Sequence, residues 1–298
     1  MRIYVCEDRF EGILCGIYDA WASGLGHANV RVQVRRTQTL ELFAEYTEVE
    51  TDPAKAEKVA SSVRRKLSED IYVNLYKTAM SCAPDKADCM YRYLVRAFAA
   101  GPGIVQMYQD PAVMRVFEIC RNVGNETHLL LQFIRFRQLP GNVLFAETEP
   151  KNYQLTLTAP HFADRLPDEN WIIYEKNHGQ AAVHEGGKGW FLARMGEKEA
   201  GRLRDRAGED GYEDLWQTFF ETIAIEERKN PLCQRGHLPL RYRGTMTEFQ
   251  REAWNSRRKK ERKDEIDVCI GHSRVGDLLP EDGGDLQRGT GGQADPAG

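Results

Sequence analysis

Long apolar runs are missing from this 298-residue chain, and so is a large surplus of either charge. No stretch approaches the roughly 18 apolar residues that a membrane-spanning helix needs. The opening MRIYVCEDRF breaks its short apolar run at Glu7, Asp8 and Arg9, so no secretory leader is expected. The net charge of −4 excludes a uniformly basic nucleic-acid coat, and contact with DNA or RNA would have to come from a local patch. Seven cysteines, at 6, 15, 82, 89, 120, 233 and 269, lack CxxC spacing and read as free thiols in a reducing cytoplasm. There is no CxxxCxxC triplet, so the chain itself is not expected to hold a radical-SAM iron–sulfur cluster. P-loop and Ser-His-Asp patterns are also missing, and His178, His184 and Glu185 match no zinc spacing. No metal and no cofactor are expected.

What is present suffices for a core: 41% hydrophobic and 10% aromatic residues. Arg2 to Cys6 reads as a strand, followed by a helix capped by Asp8, with Phe10, Leu14, Ile17 or Tyr18, and Trp21 on one side, ended by Gly24 and Gly26. Val30, Val32 and Val34 alternate with polar residues as in a half-buried strand, and a further extended piece runs from Leu40 to Glu48. Asp52-Pro53, Asp85 and Asp110-Pro111 each start a helix, an N-cap followed in two cases by proline at the first helical position. After the first, Val59, Val63, Leu67, Ile71 and Leu75 repeat every four residues. From Phe133 to Arg137 the period becomes that of a strand, which puts Arg135 and Arg137 about 7 Å apart on one face, the spacing of a phosphate clamp. Partners in the acidic segment Glu147 to Glu149 explain the pair equally well. Val143 to Glu147 should be the neighbouring strand. A helix from Leu155 to Leu166 carries His161 and Arg165 on its polar side. Trp171 to Glu175, Ala181 to His184 and Trp190 to Ala193 form a small antiparallel meander. The expected architecture is α+β, a helical scaffold with a small, mostly antiparallel sheet. Its divisions are residues 1–84, 85–254 and a charged, glycine-rich tail at 255–298 that should be disordered.

The densest aromatic and basic run is LWQTFFETIAIEERKNPLCQRGHLPLRYRGTMTEF, from Leu215 to Phe249. Leu215, Phe219 and Ile223 recur at helical spacing, with Trp216 and Phe220 beside them, and the pattern stops at Asn230-Pro231. Thr245 to Glu248 has the form of a capping box. The connection between reads as extended. From Arg228 to Thr247 there is no Asp or Glu, while Arg228, Lys229, Arg235, Arg241, Arg243 and His237 are all there. Planar guanidinium groups suit phosphate, and Tyr242 between two arginines could stack on a base. The same residues also fit a connection pinned to the core by acidic neighbours.

Several blocks carry a family likeness: YVCEDRFEGILCGIYDAW, FIRFRQL, APHFADR, WIIYE and LWQTFFETIAIEERKNPLCQRGHLPLRYR. The segment from about Asp85 to Trp254 resembles the bacterial DUF4130 domain. Residues 1 to about 254 resemble the DNA metabolism protein family encoded beside a radical-SAM DNA modification or repair protein, some members of which are fused to a uracil-DNA-glycosylase-like domain. The resemblance implies a cytoplasmic accessory protein of DNA repair or modification. DNA, the radical-SAM protein and a glycosylase-like protein would be its partners. It also implies functional roles for Arg135, Arg137, His161, Arg165, Arg228, Asn230, Arg235, Arg241 and Tyr242. This chain departs from the family pattern at Glu175, where aspartate is usual, and at Asn177-His178, where relatives are basic. It also lacks the glycosylase-like fusion.

Three functions follow from these residues. The first is nucleic-acid binding through the arginines. The second is an enzyme hydrolysing a base or phosphodiester bond, with His161 or Glu227 as general acid/base; burial one turn beyond Phe220 and Ile223 would raise the pKa of Glu227. The third is a protein-interaction scaffold whose arginines meet an acidic partner.

Overall fold

The computed structural model describes residues 1–35, 41–206, 215–216, 219, 222–223, 225–228, 230–246 and 248–249. The expected tail at 255–298 and Leu40, where the extended piece was to begin, lie outside them.

The chain opens with strand β1 (Arg2–Cys6), helix α1 (Phe10–Ala22) and strand β2 (Val30–Val34), then β3 (Glu45–Glu48). These strands make a parallel sheet in the order β2-β1-β3, with Ile3 opposite Arg31 on one side and Tyr46 on the other. The Phe10, Ile13, Leu14 and Ile17 side of α1 is buried, whereas Trp21 is 40% exposed. Asp8 does not cap α1; Arg9 occupies that position, and the Asp8 carboxylate pairs instead with buried Lys86. Gly16 lies against the sheet, where an added Cβ would meet Val32 Cγ1 at 2.9 Å.

Helix α2 (Pro53–Lys66) starts as the sequence predicts, with the Asp52 side chain accepting from the Ala54 amide. The four-residue repeat that follows is not one helix. Leu67 leaves the helical region and Ser68 caps a new one, α3 (Glu69–Ala79), accepting from the Ile71 amide at 3.2 Å. An apolar repeat reports which face is buried, and it survives such a break. Helix α4 (Lys86–Ala100) closes at Gly101, whose φ of 83° suits glycine. Helix α5 (Pro111–Phe133) is 23 residues long and begins with Asp110 accepting from the Ala112 amide.

Because α5 continues through Phe133, the expected strand 133–137 is displaced: β4 is only Arg137–Leu139, and Arg135 lies in the irregular connection before it. Then come β5 (Val143–Thr148), α6 (Leu155–Arg165), β6 (Asn170–Glu175), β7 (Gln180–Glu185), β8 (Gly189–Arg194) and α7 (Glu197–Arg206). They form a sheet in the order β4-β5-β6-β7-β8, parallel only between β5 and β6, so the expected antiparallel meander is its β6-β7-β8 part. The all-parallel sheet at the start of the chain is an addition to the expected fold.

One apolar cluster joins β1, β2 and helices α1 to α5. A second lies between α6, the end of α5 and one face of the larger sheet, with Trp171, Phe162 and Ile173 at its centre. A third, smaller one includes Tyr174 and Ala200, beneath α7. Residues Met1–Phe249 make one compact unit, and the boundary expected at 84–85 falls inside the first cluster, between α3 and α4.

Two substitutions test this packing. Leu75→Ala removes a fully buried side chain of α3 and should cost about 3 kcal/mol. Gly16→Ala should cost about 1–3 kcal/mol through overpacking against β2. Urea unfolding followed by circular dichroism checks both, and each variant should keep a single transition because α3 and α4 share a core.

Candidate nucleic-acid interface

The acid-free segment is not extended. Asn230, read as the end of one helix, begins another: its side chain accepts from the Cys233 amide at 3.0 Å, and Pro231 occupies the first turn of α8 (Pro231–His237). Helix α9 (Leu240–Arg243) follows directly. Asn-Pro is both a stop and a start signal, since proline is excluded from a helix interior but fits its first turn. Upstream, Leu215, Trp216, Phe219, Thr222 and Ile223 are helical. Their expected apolar stripe is exposed, with Leu215 at 66% and Ile223 at 57%.

The arginines divide into two groups. Arg241 and Arg135 are held by carboxylates that sequence reasoning missed. Glu126, on the inner side of α5, is 4% exposed. Its carboxylate accepts from Arg241 Nη2 at 2.8 Å, the Tyr242 hydroxyl at 2.9 Å and the Lys151 and Asn152 amides at 3.0 and 2.8 Å. Asn152 Nδ2 adds a further bond at 2.7 Å. Burial on its own pushes the Glu126 carboxyl up. The Lys151 and Asn152 amides, Tyr242 and Arg241 outweigh that and hold it below the ordinary carboxylate range. The Tyr242 phenol is pushed up to about 12, chiefly by burial. At 1% exposed, Tyr242 has no face left for a base; it packs near the Phe133 ring. Arg135 Nη2 meets Glu248 Oε1 at 2.9 Å, and its guanidinium lies 5.6 Å from the Trp216 ring. The expected strand clamp of Arg135 with Arg137 is therefore not formed. Arg137, in β4, is half-buried.

The second group is exposed. Arg165, at the end of α6, and Arg228 and Arg235, before and within α8, have no ion pair among the described residues. Arg243 joins them half-buried: it bonds Gln234 and lies 4.9 Å from the Phe249 ring, again with no carboxylate among the described residues. Arg228, Arg235 and Arg243 thus sit on one short run of chain. His161 is exposed on α6 and Glu227 is exposed in a single 3-10 turn, so the burial that would have tuned Glu227 is not there.

The turn residues imagined as metal ligands have other partners. His178 Nδ1 bonds the fully buried Glu175 carboxylate. His184 Nδ1 bonds the Glu169 carbonyl, and its ring stacks on Trp171 at 4.9 Å. No cluster of three such ligands occurs among the described residues, and no described helix is long and apolar enough to cross a membrane. A signal for Glu126 was available: an acidic residue on the apolar stripe of a long helix, one turn after Val123 and one before Leu130.

A family profile described as a domain of unknown function, DUF4130, matches residues 84–248. No curated protein matches the chain.

Glu126 supports a test with a definite sign. Glu126→Ala leaves Arg241 and two buried amides without their acceptor and should cost about 3–5 kcal/mol. The wild-type carboxyl is held below its ordinary 4.5, so its stabilisation is complete above that value and is lost as pH falls through the lower, folded one. The gap between wild type and Glu126→Gln in urea should accordingly narrow from pH 7 to pH 4. Glu227→Gln, on an exposed side chain, should stay within about 0.5 kcal/mol of wild type.

Proposed function

Since the chain belongs to the DUF4130 family, which is associated with DNA metabolism proteins, we propose that it is a DNA-binding accessory protein of repair or base modification. In this reading Arg165, Arg228, Arg235 and Arg243 meet phosphates, with Arg137 at the start of β4 as a further contact. The observation that carries it is that Arg228 and Arg235, exposed, and Arg243, half-buried, lie on one short run of chain and have no carboxylate partner among the described residues. A chain with net charge −4 that leaves such groups unneutralised in one place retains a site for counterion-releasing contact. Arg135, Arg241, Tyr242 and Asn230 act indirectly. They anchor and cap the helices that present the exposed arginines.

The radical-SAM DNA modification or repair protein is the proposed partner, with a glycosylase-like protein as a further one. Exposed Trp216, Phe219, Ile223, Leu232 and Leu240 supply the apolar side chains that such docking would cover. Catalysis is assigned to the partner.

Fluorescence anisotropy with a labelled 20-mer, single- and double-stranded, tests the reading. Affinity should fall steeply with salt. Arg228→Ala and Arg235→Ala should each weaken binding several-fold on every sequence and lower the salt slope by about 1. A chain without affinity at 20 mM salt, alone and with the partner, would end this proposal. A partner complex that survives nuclease treatment while DNA affinity is absent would instead favour a scaffold.

A further inference from the structure

A cleft of about 530 Å³ opens where α1, the end of α3, the turn after β6 and the last strand of the larger sheet meet. One wall comes from residues outside the family match, Phe10 and Tyr76; the other comes from within it, Tyr153, His178, Gln180 and Arg194. We infer that this cleft is a nucleotide pocket, sized for one nucleoside monophosphate, either free or turned out of a strand.

The walls suit a planar heterocycle. Phe10 and Tyr76 form an edge-to-face pair at 5.2 Å, and Tyr153 and His178 form another at 5.3 Å. Tyr76, Tyr153 and His178 are each half-buried and retain surface for a ligand. Ring faces bind any base by stacking, and a pocket of this volume holds a ligand of nucleotide size.

The polar groups are fixed yet retain capacity. The Tyr153 hydroxyl donates to Gln180 Oε1 at 2.7 Å, which orients the carboxamide and leaves its Nε2 donor without a partner among the described residues. Glu175, fully buried, holds His178 through Nδ1 and itself accepts from the Gln154 amide at 3.1 Å, so Nε2 is the ring's remaining nitrogen. An amide donor and an imidazole nitrogen held in place can read the edge of a base. The charged groups sort themselves. Lys86 is used by Asp8 and by the Ala79 and Ser81 carbonyls, and Arg9 is paired with Glu7. Arg194 is exposed and has no ion pair among the described residues, which leaves it for a phosphate. Glu11 is the one lining carboxylate without an ion pair among the described residues, and it suits a sugar hydroxyl.

The pocket rests on the proposed DNA association only for the source of its ligand, and the two are separable. Calorimetric titration of the full chain uses the four 2′-deoxynucleoside 5′-monophosphates and the matching nucleosides. At least one monophosphate should bind in the micromolar to millimolar range. Arg194→Ala should weaken that binding about tenfold, the size of one charge-assisted contact, while leaving binding of the nucleoside unchanged. Gln180→Leu should weaken both. Arg228→Ala and Arg235→Ala should leave monophosphate binding alone, so a failure of the surface patch would be seen apart from a failure of the pocket. Competition by a 20-mer, with a rise in 2-aminopurine fluorescence on its binding, identifies a turned-out nucleotide as the ligand; no competition identifies the free one. Absence of heat with all four monophosphates at 5 mM, or binding indifferent to both Arg194→Ala and Gln180→Leu in variants that melt like wild type, overturns the inference.

Discussion

The connection after β5 and helix α9 are arranged around a carboxylate taken out of water on the inner side of α5. Glu126 gathers the backbone of residues 151 and 152, the Asn152 side chain, Tyr242 and Arg241. A charge buried at 4% exposure is tolerated only when its lone pairs are filled. The partners come from two separate stretches of sequence, so the demand of one atom pair sets the path of a loop and the seat of α9. Glu175 does the same from the other side, accepting from Gln154 and orienting His178. Between them the two carboxylates hold the connection from Lys151 to Gln154.

That arrangement separates the arginines by role. Arg135 and Arg241 are consumed by buried acids, whereas Arg165, Arg228 and Arg235 are not. The acid-free segment therefore supports both readings that the sequence left open. Arg241 and Tyr242 pin the connection to the core, and Arg228 and Arg235 stay exposed. The carboxylate that neutralises Arg241, Glu126, comes from a distant part of the chain, which is why a local scan for acids does not find it.

Much of the fold was legible because it depends on local chemistry. Caps at Asp52 and Asp110, the alternation at Val30 to Val34 and the WIIYE strand follow from residue type and spacing. What could not be read depended on distance. Nothing near Phe133 says that α5 will continue to that residue, since the same five side chains satisfy a strand period. Nothing beside Arg241 names an acceptor 115 positions away. Asn230-Pro231 carries two meanings, and only packing around Leu238 and Tyr242 decides between them. The cleft was illegible for the same reason: its two aromatic pairs are brought together by packing alone.

The separation between Glu126 and the pair Arg241 and Tyr242 bears on how the molecule matures. A ribosome delivers α5 more than a hundred residues before the groups that neutralise it, and domains assemble as their parts emerge. For that interval Glu126 has only water and the Lys151 and Asn152 groups to fill its lone pairs. Docking of α9, which brings Arg241 and Tyr242 to that carboxylate, can therefore come only after α5 and the 151–152 connection have been made.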